Sequence, residues 1–215
     1  MTELADHSRI IAAAGKSILA PLGCKRKGTS RLWFDDHAWW VTLIEFQPSS
    51  WSKGSYLNVG AMWLWNAKGH WSFDDGYRVD AFHQFKDESQ FASAAEQLAQ
   101  CAADQVRAFR EKFPSLPAVS TYLNGKENKS IWDHYHAAIA LALSGANERA
   151  VHELSAVLHS PVHAPWVGEL QEKAKALLAK NSSSLLFSAA VREEIAKARE
   201  LLKLSPLPQD APLWP

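Results

Sequence analysis

The sequence predicts an α+β fold: an antiparallel β-meander sheet packed by helices, with an all-helical C-terminal region. Three observations carry this expectation. Seven of the ten tryptophans fall between Trp33 and Trp71, in a stretch whose apolar residues alternate at the two-residue period of strands. The segments on either side repeat their apolar residues at helical spacing instead. The last third is rich in alanine and leucine and is interrupted only by short Gly, Pro, Asn and Ser stops.

Leu4, Ile11, Ala14, Ile18 and Leu22 share a helical face, so the first element is an amphipathic helix stopped near Pro21 and Gly23. A basic loop, Lys25-Arg26-Lys27 to Arg31, leads into a short strand over Arg31–Asp35. A turn at Asp35-Asp36-His37 follows. Trp39–Gln47 is apolar on both faces until Glu45, which predicts a central strand covered on both sides. Tyr56–Asn66 alternates cleanly, with Leu57, Val59, Ala61, Trp63 and Trp65 on one face. Asn66–Gly69 reads as a hairpin turn into a short strand around Trp71 and Phe73, and Tyr77–His83 as the last strand. The sheet tryptophans are expected in the core, Trp51 and Trp71 near turns excepted.

Asp87, with Gln90 three residues on, predicts a capped helix start. Phe91, Ala95, Leu98, Ala102, Phe109 and Phe113 mark its buried face as far as Pro114. A loop carrying Pro117, Asn124 and Gly125 then separates it from helices over about 131–144, 147–159, 166–180 and 184–204. The expected organisation is a sheet domain over 1–125, a helical region of αα-hairpins over 126–204, and an extended Pro-rich tail over 205–215.

An apolar fraction of 47% and a charged fraction of 21% are those of an ordinary globular chain. A formal net charge of zero argues against a nucleic-acid binder, which needs clustered Lys and Arg. Two cysteines make no disulfide framework. The acidic start and the lack of a long apolar run predict a cytoplasmic protein without a membrane partner. The sequons at Asn128 and Asn181 carry no weight in that compartment.

The motifs that suggest chemistry fail on geometry. Ala13-Ala14-Gly15-Lys16-Ser17 resembles a phosphate loop, but Ile10 stands where that loop needs a glycine, and the segment is helical. His134 and His136 point to different helix faces, and Pro161 interrupts the His159–His163 spacing, so no metal or other cofactor is expected. The neighbouring acid–His pairs, Asp36-His37 and Asp133-His134, lack triad geometry. Catalysis is left open but not favoured, and no catalytic residue is assigned.

Phe46–Gly54 is the most unusual segment, a polar loop between strands flanked by large aromatics. Candidate binding residues are Gln47, Ser49, Ser50, Trp51 and Asn58 there, with Arg26, Lys27 and Arg31 from the basic segment. Aromatic and arginine side chains are the usual anchors of macromolecular contacts. The run Leu19–Gly28, an aromatic strand ending Phe46-Gln47-Pro48-Ser49-Ser50-Trp51, and Tyr56-Leu57-Asn58-Val59-Gly60 together resemble the bacterial domain of unknown function 4304 family. Cys24 replaces the aromatic that usually follows the glycine of its "PLGFK" turn. The resemblance spans about residues 8–85, at its widest to 125, and implies an α+β domain but no reaction. The helix pair Ile131–Leu158 is faintly similar to a tetratricopeptide unit. Trp132 falls two residues early for that repeat, so an ordinary αα-hairpin is expected.

Three functions fit these residues. The favoured one is a non-catalytic bacterial protein-binding module, for example an immunity-type protein that neutralises a toxin. The second is an enzyme or small-molecule or nucleotide-binding protein with a site assembled on the sheet from Arg31, Gln47, Asn58, Arg78 and His83. The third is a structural adaptor that docks through its C-terminal helices.

Overall fold

The computed structural model describes residues 6–207. The expectations for Leu4 and for most of the tail lie outside the described residues. The chain forms two units, one of residues 6–62 with Trp71–Glu111, the other of Trp63–His70 with residues 112–207.

In the first unit, α1 (Asp6–Ile18) buries Ile11 and Gly15. A 3-10 turn over Ala20–Leu22 and a left-handed Gly23 then end it. The Gly15-Lys16 pair is a packing device: a Cβ on Gly15 would lie 3.0 Å from the Trp33 indole. Five strands follow in spatial order, β1 (Lys25–Arg26), β2 (Leu32–Asp36), β3 (Trp40–Gln47), β4 (Gly54–Trp63) and β5 (Asp75–Arg78). β6 (His83–Gln84) also pairs with β4. β2 runs antiparallel to β1 and β3, and β4 to β5 and β6. The architecture is thus an antiparallel sheet with helices and a helical C-terminal region, as the sequence pattern predicts. Every residue of β3 from Trp40 to Ile44 is buried, as a strand apolar on both faces requires. α2 (Glu88–Lys112) buries Phe91, Ala95, Leu98, Ala102 and Phe109. Asp87 Oδ1 accepts from the Gln90 amide at 2.8 Å, and Gln90 Oε1 accepts from the Lys86 amide at 3.2 Å.

In the second unit, α4 (Ile131–Leu143) packs against α3 (Leu116–Asn124), α5 (Asn147–His159) and α7 (Ser184–Leu202), and α5 also against α6 (Pro165–Leu178). Ser130 and Asp133 cap α4 reciprocally. The alanines at 137, 138, 140 and 142 are all buried in it. Trp63 stacks on Trp65 at 5.3 Å and meets the edge of Phe113 at 5.3 Å, so the aromatic end of β4 is core in this unit.

The structure corrects the sequence reading in four places. Lys25 and Arg26 form an edge strand rather than loop. Residues 114–125, read as loop, contain α3, because Pro117 sits in the first helical turn, where no amide hydrogen is needed. Asn66–Gly69 is not a hairpin turn and Trp71–Phe73 is not a strand. Asn66 and Ala67 are drawn to helices instead: Lys173 Nζ donates to Asn66 Oδ1 at 2.6 Å, and the Ala67 amide donates to Glu194 Oε2 at 3.2 Å. The last expected strand breaks after Arg78, where Asp80 turns its carboxylate onto the Ala81 amide at 2.7 Å.

Candidate interaction surface

Antiparallel connectivity brings the β1–β2 turn and the β3–β4 loop to the same end of the sheet. The turn closes through the Lys27 amide, which donates to the Leu32 carbonyl at 2.9 Å, and the Ser30 amide, which donates to the Lys27 carbonyl at 3.0 Å. Gly28 supplies its positive φ of 52°. In the loop, Ser49 Oγ accepts from the Trp51 amide at 3.1 Å. Arg31 joins the two segments: Nη1 donates to the Gly54 carbonyl at 2.9 Å, and Nη2 donates to Ser8 Oγ at 2.8 Å. The same end of the loop is held again by the Phe85 amide, which donates to the Lys53 carbonyl at 2.9 Å. Gly54 is required there, because its φ is +150° and a Cβ would collide with the His83 carbonyl.

This frame leaves Trp51 93% exposed on a braced loop. Lys25, Lys27 and Lys53 are exposed at the same end, and Lys27 Nζ lies 5.7 Å from the Trp71 ring. The local charge is felt by His7, whose pKa is lowered by burial and by the Arg31 and Lys53 charges, against Asp6. The arginines expected as anchors have other tasks. Arg26 folds back on its own turn, with Nε 2.7 Å from the Ser30 carbonyl and Nη2 2.7 Å from the Thr29 carbonyl. Arg31 is half-buried and holds the frame together. Ser49 braces its own loop, and Ser50 is exposed beside it.

Gln47 and Asn58 belong to a polar network on the sheet rather than to the loop. Asn58 Nδ2 donates to Glu45 Oε2 at 3.0 Å and to Gln47 Oε1 at 2.9 Å. Arg78 donates to Gln47 Oε1 at 2.8 Å and lies 3.9 Å over the Tyr56 ring. Beside it an open groove of about 360 Å³ is lined by Asn58, Phe73, Gly76, Tyr77 and Arg78. Of the five residues considered for a site on the sheet, Gln47, Asn58 and Arg78 therefore meet. Arg31 is held by Ser8 and Gly54, and His83 Nε2 pairs with Asp80 Oδ2 at 2.8 Å.

Two further charge clusters are ion pairs that hold elements together. Asp35 Oδ2 takes Arg110 Nε at 2.8 Å and His37 Nε2 at 2.9 Å. Burial pushes the Asp35 pKa up, but the His37 and Arg110 hydrogen bonds outweigh it and hold the pKa at about 2. Glu153 is bridged by Lys129 and His134, each at 2.6 Å. Among the described residues no group of His, Cys, Asp and Glu side chains is arranged to hold a metal ion, and no helix is long and apolar enough to cross a membrane.

The sequence reading passed over Lys53, a single lysine in a polar loop. It also passed over Glu45, which reads only as the polar end of a strand. No protein-family model, curated protein or solved structure matches the chain, so the resemblance noted for residues 8–125 rests on its own motifs.

Proposed function

We propose that the protein is a non-catalytic protein-binding module that engages an acidic partner protein through this end of the sheet, as an immunity-type protein engages a toxin. The observation that carries the reading is Trp51, a large aromatic left 93% exposed on a loop pinned two residues on, at Lys53 and Gly54. Exposed aromatics on rigid frames are the usual centres of protein contacts, because little side-chain entropy is lost when they are covered. The lysines around it favour an acidic surface and speed encounter with one. Gln47 and Asn58 hold the sheet face that supports the loop, and Arg31 positions the loop itself.

The test is hydrogen exchange on the complex captured from the native host, with Trp51→Ala as the variant. Protection over residues 47–54 and 25–31, together with at least ~2 kcal/mol weaker binding by the variant, is the expected result. A second reading is favoured by a separate observation in the helical unit. There Trp166, 39% exposed, stacks on Trp132 at 5.7 Å, and Leu185 and Leu186 are exposed as well. Protection confined to residues beyond 131, with 47–54 unaffected, would move the contact to these helices and make the protein an adaptor.

A further inference from the structure

The helical unit carries a partly open pocket of about 130 Å³ whose wall includes Trp65, Tyr135, Lys173, Leu177, Val191 and Glu194. An enclosed cavity of roughly 150 Å³ holds benzene, so this pocket covers most of a ring-sized body and leaves the rest at its open mouth. Its walls combine an apolar surface with Tyr135 and four charged side chains, Lys173, Lys180, Glu193 and Glu194. Lys173 Nζ is held by a neutral partner, Asn66 Oδ1, at 2.6 Å rather than by a carboxylate. Burial lowers the pKa of this amine, and Lys197 and Lys68 lower it further against the opposing Glu194 and Glu169, which enlarges the fraction present as nucleophile. Tyr135 is only 2% exposed and lines the pocket. Burial and the nearby Glu194 charge raise its pKa, so it stays a proton donor. The Glu194 carboxylate is oriented by the Ala67 amide at 3.2 Å.

We propose that this cavity takes up a small aldehyde with an apolar body and holds it as an imine on Lys173 Nζ. Trp65, Leu177 and Val191 receive the apolar body, and the Tyr135 hydroxyl donates a hydrogen bond to the carbonyl oxygen. The amine lone pair forms the N–C bond and the carbonyl π pair moves to oxygen, giving a carbinolamine. The C–O bond then breaks and the nitrogen lone pair forms the C=N bond. The carbonyl oxygen leaves with both amine protons as one water, with Glu194 relaying a proton, so no oxidant or reductant takes part. A neutral aldehyde also suits a wall whose two lysines and two glutamates offset one another. The inference is independent of the role proposed for the sheet.

Limiting benzaldehyde and sodium cyanoborohydride, added to the full-length protein, trap imines as stable benzyl adducts that peptide mapping assigns to single lysines. Lys173 is expected to be labelled at least about tenfold faster than its exposed neighbour Lys175, the ratio that ~1.4 kcal/mol of binding in the cavity supplies. Excess benzyl alcohol, which offers the same ring but forms no imine, should suppress labelling at Lys173 and leave Lys175 unchanged. Lys173→Arg should lose the fast adduct. Labelling of Lys173 no faster than Lys175, or no protection by benzyl alcohol, overturns the proposal. Both readings use the wild-type protein, so they hold even where Lys173→Arg does not fold.

Discussion

Replacing Trp63 with Ala tests the claim that the aromatic end of β4 is core. The side chain is 0% exposed, stacked on Trp65 at 5.3 Å with planes 11° apart, and met edge-on by Phe113 at 5.3 Å. A tryptophan buries roughly 150–250 Å². At about 25 cal/mol per Å² that is worth ~4–6 kcal/mol, an upper bound because the unfolded chain already hides part of its surface. Alanine retains a little of the burial. The lost aromatic pairs and the cavity left behind add back a comparable amount. The expected loss is ~3–5 kcal/mol, or a fall in Tm of roughly 10 °C or more. Thermal and denaturant unfolding followed by circular dichroism measure it, with Trp51→Ala as the paired control. That residue is 93% exposed, so its removal should shift stability by no more than ~0.5 kcal/mol. An unchanged Tm for Trp63→Ala, or equal losses for both variants, would refute the assignment of core and surface.

Asp35→Asn should cost on the order of 2 kcal/mol at neutral pH, because the wild-type pKa of about 2 lies below that of an unfolded aspartate. That stabilisation is complete above about pH 4 and fades as the pH falls toward 2, so denaturation midpoints of the two proteins should converge over this range. A constant gap would mean that the ion pair does not titrate as described. Gly60→Ala should cost ~1–3 kcal/mol, since a Cβ there would lie 2.5 Å from Gly76 Cα and 2.6 Å from the Asp75 carbonyl oxygen across the β4–β5 pair. Gly69→Ala, which meets nothing within 4 Å, should be near neutral in the same unfolding assay.

The sequence by itself determined the fold class, the central strand at Trp40–Gln47, the long helix from Asp87, and α4 to α7 to within a few residues. Each of these is written in local periodicity: two residues for strands, near four for helices, with caps and breakers at the ends. Burial followed from the same pattern, since Trp39, Trp40 and Trp63 fall where alternation places them and Trp51 falls where it stops. Only the tertiary structure decided what non-local partners decide. Lys25 and Arg26 are strand because β2 lies beside them. Asn66 and Ala67 abandon a hairpin because Lys173 and Glu194, more than a hundred residues away, supply better hydrogen bonds than a turn would. Among the candidate binding residues, Arg31 and Trp51 look equally promising in sequence, as polar-loop neighbours of strands. Folding separates them: Arg31 spends its donors on Ser8 and Gly54, and the loop it pins leaves Trp51 in solvent. Residue type records what a side chain can bind, but which groups lie within hydrogen-bond reach is set by contacts between segments far apart in the chain.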